Sequence, residues 1–75
     1  MRPFSIFVTY TIRATSEERK CPPILLRAKS EREAADAAIA VADFAYHQIA
    51  SSVLVQIVGS EGDGRPLEIR RPISN

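Results

Sequence analysis

The strongest constraint on the fold is a period-two alternation that runs through residues 4–13. Apolar or aromatic residues occupy every second position, and the positions between them are polar apart from Phe7. The apolar set is Phe4, Ile6, Val8, Tyr10 and Ile12. Because successive side chains of a β-strand point to opposite faces, this pattern predicts a strand with one buried face. A buried face needs a second layer of structure to cover it.

A helix is predicted to begin after Ser30. Ser30 and Glu33 have the spacing of a capping box, in which the serine hydroxyl accepts a hydrogen bond from the Glu33 amide. Apolar residues then recur every three or four positions as far as about residue 49, which predicts one stripe that packs on a sheet. The stripe consists of Ala35, Ala38, Ile39, Ala42, Ala45, Tyr46 and Ile49. Its four alanines predict a helix that lies close to the sheet.

Three further strands are predicted around the helix. The stretch Ile24–Ala28 follows two prolines, which favours an edge strand or a late entry into the sheet. Residues 53–58 are nearly all apolar on both faces of the predicted strand, which is typical of a central strand. Residues 67–70 form a short last strand after a glycine-rich turn at residues 59–64. Residues 14–23 are predicted to be a polar connection, and residues 73–75 a frayed tail.

These elements predict a single small α+β domain spanning residues 1–75. Its order is ββαββ, with one helix packed on one face of an antiparallel sheet of about four strands. A chain of 75 residues lies near the lower limit for a self-sufficient hydrophobic core. We therefore expect a partner or a second copy to contribute to its stability.

Composition narrows the environment and the class of protein. A net charge of +1 gives no general attraction to nucleic acid or to membranes, and no apolar run approaches the roughly 20 residues that span a bilayer. The single cysteine, Cys21, excludes an internal disulfide and suits a reducing compartment. The start of the chain lacks the apolar core of a signal peptide. We expect a soluble cytoplasmic protein without membrane contact.

The residues that usually carry catalysis or bind metal are too sparse to form a site. Asp36, Asp43 and His47 share one side of the predicted helix, but two carboxylates and one imidazole make a weak ligand set. Cys21 follows two basic residues, yet nothing in the spacing pairs it with His47. The glycine-rich turn lacks the length and the lysine of a phosphate-binding loop. The sequence therefore predicts no enzyme, no metal and no cofactor.

Two aromatic residues fall outside the predicted core. Phe44 lies opposite the core stripe of the helix, near Ala37, Ala40 and Val41. Phe7 points away from the helix side of the first strand. Large exposed apolar side chains often mark interaction sites, although isolated ones are common and Phe44 folded against its own helix is the alternative. We expect a protein partner to bind the helix set or a sheet set of Phe7, Arg13 and Arg27.

Two other functions stay open. An aromatic ring among arginines on an open sheet is also used to stack nucleic-acid bases and to bind phosphates. The residues for that function are Phe7, Arg13, Arg65, Arg70 and Arg71. A homodimer with a purely structural role is the third alternative.

The layout resembles a group of small proteins from mobile genetic elements. The strand before the helix ends at Ala28, and Ser30, Glu33 and Ala34 form the helix start. With two strands on either side, this arrangement is similar to small phage- and plasmid-encoded α+β proteins, including inhibitors of type I CRISPR surveillance complexes. The resemblance implies a non-enzymatic protein of the bacterial cytoplasm that blocks a nucleoprotein complex through its surface. Interspersed charges depart from the one-sign patches that are common among such inhibitors.

Overall fold

A computed structural model describes residues 1–59 and 67–73, and it confirms one helix packed on an antiparallel sheet. The elements in chain order are β1 (Arg2–Ile12), β2 (Glu18–Lys20), β3 (Ile24–Ala28), α1 (Glu31–Tyr46), β4 (Ala50–Gly59) and β5 (Leu67–Pro72). The predicted glycine-rich turn beyond Gly59 and the last two residues of the predicted tail lie outside the described residues. No helix in the described ranges is long and apolar enough to cross a membrane.

The sheet has five strands, one more than predicted, because β2 forms within the stretch expected to be a connection. It pairs antiparallel with β1, placing Lys20 opposite Thr9 and Glu18 opposite Thr11. All three residues of β2 are exposed. A strand held by backbone pairing alone buries no side chains, so hydrophobic alternation gives no signal for it.

The strand order positions β3 at an edge. The main path is β2-β1-β4-β5, and β3 also pairs with β1. Since β4 pairs with nearly the whole of β1, β2 and β3 share the opposite side of that strand. The central position predicted for β4 and the edge position predicted for β3 are both confirmed.

The core lies between α1 and the inner face of β1 and β4. Its largest fully buried side chains are Ile6, Val53, Val55 and Ile57, with Ile6 directly opposite Ile57. The helix covers them with four buried alanines, Ala34, Ala35, Ala38 and Ala42. Small side chains allow close packing of a helix on a sheet, as predicted from the alanine-rich stripe.

The helix is capped at its start as predicted and ends earlier than predicted. The Glu33 amide donates to Ser30 Oγ at 3.2 Å, and Ser30 has the extended backbone of an N-cap. The last helical residue is Tyr46, not residue 49. Ile49 therefore lies outside the helix and is exposed, and Ala45 is exposed at the end of the stripe, so both were wrongly predicted to be core residues.

The chain beyond β5 is ordered at Ile73, where a frayed tail was predicted. β5 continues to Pro72, and the Ile73 amide donates to the Ser51 carbonyl at 2.8 Å. The Ile73 side chain is buried in the core. Pairing of β5 with β4 carries Ile73 over the inner face of the sheet, and an isoleucine after a proline gives no sign of this in the sequence.

Candidate functional site

An apolar groove of about 180 Å³ lies between α1 and the β3 side of the sheet. We call it the α1–β3 groove. Its side chains come from β1, from β3 and from one flank of the helix, with Cys21 and Tyr46 carrying its only polar side-chain atoms. The lining residues are Ile6, Val8, Cys21, Ile24, Leu26, Ala37, Ala38, Val41, Ala42, Ala45 and Tyr46.

The groove follows from the positions of the helix and of β3. The helix lies mainly over β4 and β1, whereas β3 is the next strand outward. Ala37 and Ala45 face this gap, and their methyl groups are too short to reach across to Ile24 and Leu26. The space is thus left open, with Val41 62% exposed and Ile24 44% exposed.

The three helix residues predicted to bind a partner lie on the flank that borders this groove. Ala37 and Val41 line the groove directly. Phe44 lies three positions after Val41 and seven after Ala37, a spacing that keeps all three on one side of a helix. Its side chain is 83% exposed. The structure therefore places the surplus aromatic beside the groove rather than folded into the core.

In the part of the chain that the structure describes, β3 pairs with β1 alone, so its outer edge is open. The Cys21 amide donates to the Val8 carbonyl at 2.9 Å, so the main-chain groups of Val8 point toward the side of β1 that carries β2 and β3. The direction of the main-chain groups alternates along a strand, so those of Phe4 point to the same side of β1 as those of Val8. Phe4 pairs with Leu26 of β3, and the main-chain groups of Leu26 therefore point toward β1. The main-chain groups of the intervening residues Leu25 and Arg27 consequently point away from β1.

The three edge strands differ in charge. Glu18, Arg19 and Lys20 make up β2, and β5 carries a glutamate, two arginines and a terminal proline. Such residues discourage pairing with another chain. β3 has the sequence Ile-Leu-Leu-Arg-Ala, and Leu25 is 76% exposed. β3 is thus the edge strand with the least protection against pairing.

A cluster of three side chains closes the groove at the helix end. Cys21 Sγ lies 3.2 Å from Tyr46 Oη, and the Tyr46 ring stacks on Tyr10 with 4.3 Å between ring centroids. The hydrogen bond to Cys21 and partial burial raise the pKa of Tyr46 from 10.0 to about 12. Cys21 thus contacts Tyr46, whereas His47 Nδ1 lies 3.0 Å from the Phe44 carbonyl.

The sheet face away from the helix carries a second apolar patch. Strand register places Leu54 and Val58 of β4 on the same face as Phe7, along with Leu25 of β3. Phe7 is 37% exposed, and Gln56 opposite it donates to Glu68 at 2.8 Å. The patch is therefore an apolar surface bordered by charge.

The predicted arginines of the sheet set separate in the structure. Arg27 pairs with Pro3 and lies on the Phe7 face at the open edge. Arg13 instead donates from its guanidinium to the carbonyls of Ala50 at 2.7 Å and Ile73 at 3.3 Å. Arg13 thus holds the ends of two segments together, a role that sequence reasoning missed because it depends on the return of the chain at Ile73.

The arginines assigned to nucleic-acid binding do not form one cluster either. Arg70 lies opposite Leu54 on the Phe7 face, whereas Arg71 lies opposite buried Val53 on the helix side. Arg71 borders a second depression that also carries Asp36 and Asp43. Arg65 lies outside the described residues. Among residues 1–59 and 67–73, no three histidine, cysteine, aspartate or glutamate side chains converge as a metal site.

Comparison of the chain with protein-family models, with curated proteins and with solved structures finds no match in any of the three.

Proposed function

We propose that this chain is a non-enzymatic protein-binding module whose interaction surface is the α1–β3 groove with the adjoining helix flank and open β3 edge. The observation that carries the proposal is the coincidence of an almost wholly apolar groove with an aromatic side chain that is 83% exposed beside it. Contiguous exposed apolar surface on a small domain is characteristic of interaction sites.

The chemistry of the groove favours a protein over a nucleic acid. Affinity for nucleic acid depends on cations that contact phosphates. The groove is lined by hydrocarbon except at Cys21 and Tyr46, and Arg27 is the one charged residue of β3. A partner that inserts apolar side chains beside Val41 and Phe44 would bury surface that is now in water, at about 25 cal/mol per Å² before the costs of association.

Binding by occupancy is the mechanism that this surface supports. A small domain that covers a site on a larger assembly blocks it without chemistry, and one that bridges two proteins acts as an adaptor. The inhibitor role implied by the resemblance to mobile-element proteins is the first of these. The mixture of charges over the surface leaves apolar contact as the source of affinity, with a hot spot at Phe44.

Nucleic-acid binding by the open sheet face is the second candidate function. The observation in its favour is that Phe7 and the arginines Arg27 and Arg70 share one face. Binding of single-stranded RNA or DNA at low salt tests it, because phosphate contacts are strongest there. Phe7→Ala should then reduce affinity, and undetectable binding at low salt excludes this function.

Affinity capture with matched variants tests the proposed function. We expect the immobilised chain to retain specific proteins from cells of its own organism, identified by mass spectrometry. Val41→Asp should lose them because it places a carboxylate in the apolar groove. Ala14→Asp is the matched control, since Ala14 is also exposed but lies in the turn after β1, away from the groove and from Phe44.

The result that would contradict the proposal is equal retention of the same proteins by the wild type and by Val41→Asp. Circular dichroism of each variant shows whether the fold is kept. Both substitutions replace exposed residues, so each should change the free energy of unfolding by less than about 1 kcal/mol.

A further inference from the structure

We infer that the partner fitted by the β3 edge is a second copy of this chain, paired β3 to β3 in antiparallel fashion about Leu26. The inference rests on the proposed function because it uses the same surface. It goes further by naming the occupant and the register.

The first argument is the contrast between edges. β2 and β5 present charged residues, and β5 ends at a proline, so neither is a favourable template for another strand. Within residues 1–59 and 67–73, nothing pairs with the outward main-chain groups of Leu25 and Arg27, which lie between apolar side chains. Its antiparallel self-pairing joins two sheets into one and removes the unprotected edge from both copies.

The second argument is that backbone direction and side-chain chemistry select one register. Hydrogen-bonded pairs across the new edge must use residues whose main-chain groups point outward. Centring the pairing on Leu25 would oppose Arg27 to Pro23, which has no amide hydrogen to donate. Centring it on Arg27 would place two arginines directly opposite each other, which is unfavourable.

Centring the pairing on Leu26 avoids both problems. Leu25 of each copy then forms a hydrogen-bonded pair with Arg27 of the other, and the two Leu26 residues face each other in a non-hydrogen-bonded pair. On the outer face Arg27 of each copy lies directly opposite Leu25 of the other, and the two arginines are only diagonal neighbours. A net charge of +1 per chain adds little repulsion between the copies.

The third argument is the surface that this pairing covers. Ile24 and Leu26 of both copies come together on the helix side of the joined sheet, along with the flanks that carry Val41 and Phe44. Ile24 is 44% exposed and Val41 62% exposed in the single chain, so this pairing would cover apolar surface that is now in water. Hydrogen bonds along the strands add to this burial, as in other interfaces formed by strand addition.

Sedimentation of the unmodified chain over a range of concentrations tests the inference without any substitution. We expect the mass to approach that of two chains as concentration rises. Leu25→Lys should raise the dimer dissociation constant at least tenfold. Ser5→Lys is the matched control, because Ser5 lies opposite Leu25 on the same face but one strand inward from the open edge.

Disulfide trapping tests the register. In a Cys21→Ala background, Leu26→Cys should cross-link under mild oxidation, because residues facing each other in a non-hydrogen-bonded pair have Cα atoms about 4.5 Å apart. Leu25→Cys should not, because its counterpart is offset by two residues, at about 7–8 Å. Preferential cross-linking through Leu25→Cys would overturn the proposed register.

The outcomes separate this inference from the proposed function. A monomer at every concentration overturns the inference, whatever the capture experiment shows. If such a monomer still loses its captured proteins on Val41→Asp, the surface binds a different protein and the proposed function stands. If the chain dimerises with the expected sensitivity to Leu25→Lys while capture is indifferent to Val41→Asp, the inference stands and binding of other proteins through the groove is excluded.

Discussion

The thiol of Cys21 lies 3.2 Å from the hydroxyl of Tyr46, so the segment that enters β3 is tied to the last turn of α1. This contact joins the two walls of the α1–β3 groove at one end. Tyr10 supports it from β1 by stacking on the Tyr46 ring with an interplanar angle of 12°. The width of the groove is therefore fixed by side chains from β1, from α1 and from the segment before β3.

The Cys21–Tyr46 contact predicts a fall in stability at high pH. The pKa of Tyr46 is raised to about 12 in the folded protein, against 10.0 for a free tyrosine. Between these pH values the unfolded chain has lost the phenol proton and the folded chain has kept it, so the free energy of unfolding falls as pH rises. Partial exposure of the ring reduces the loss to roughly 1 kcal/mol, below the 1.36 kcal/mol per pH unit of the full linkage.

Ultraviolet titration of phenolate absorbance, together with urea unfolding at each pH, measures this effect. Cys21→Ala should bring the pKa of Tyr46 back toward 10.0 because the hydrogen bond is lost. Tyr46→Phe should remove the contribution of this residue to the pH dependence. A pKa of Tyr46 unchanged by Cys21→Ala would refute the assigned cause.

Removal of the Arg13 guanidinium should lower the free energy of unfolding. Its guanidinium donates to the carbonyls of Ala50 and Ile73, which holds the residue after β5 against the start of β4. Arg13→Met keeps the length of the side chain and removes both donors. We expect urea unfolding to show a loss of about 1 kcal/mol, since hydrogen bonds from a charged but partly exposed group are modest.

Arg19→Met is the matched control for Arg13. Arg19 makes one exposed ion pair with Glu17 at 3.2 Å, and such pairs contribute little. Its substitution should change the free energy of unfolding by less than about 0.5 kcal/mol. Equal losses for the two variants would show that the contacts of Arg13 contribute nothing particular.

Substitution of the core residue Ile57 should cause a large loss in the free energy of unfolding. It is fully buried opposite Ile6, beneath the alanines of the helix. Ile57→Ala should cost about 2–5 kcal/mol and Ile57→Val about 0.5–1.5 kcal/mol, because each leaves a cavity of a different size. In a domain this small the first loss approaches the whole free energy of unfolding, which thermal and urea unfolding would both show.

Val41→Ala is the control for Ile57→Ala, because it shortens an exposed side chain instead of a buried one. Val41 is 62% exposed on α1, and alanine favours a helix more than valine does, so we expect little change in stability or a small gain. A large loss at Val41 would mean that the groove is already covered in the isolated chain.

The sequence predicted those elements whose residues carry a strong local signal. Alternation through Phe4, Ile6 and Val8 identified β1, and Ser30 with Glu33 identified the start of α1. Both signals arise from the backbone geometry of a single element. For the same reason helical periodicity predicts an apolar flank with Phe44 outside the core stripe.

The parts that the sequence did not predict depend on contacts between distant segments. β2 is held by pairing of exposed residues, and Ile73 is buried because β5 continues along β4. The groove itself needs the lateral position of α1 over β4, which periodicity does not determine. One signal for the groove was present in the sequence. Alternation within β3 places Ile24 and Leu26 on one face, next to the apolar flank of α1.

Amide hydrogen exchange at Leu25 and Arg27 tests most directly whether the β3 edge is the interaction surface. In the dilute chain both amides face solvent and should exchange rapidly. At concentrations where the chain self-associates, we predict that exchange at these two amides slows at least tenfold, while Glu18, on the β2 edge, is unchanged. Rapid exchange at Leu25 and Arg27 in the associated state would contradict the account.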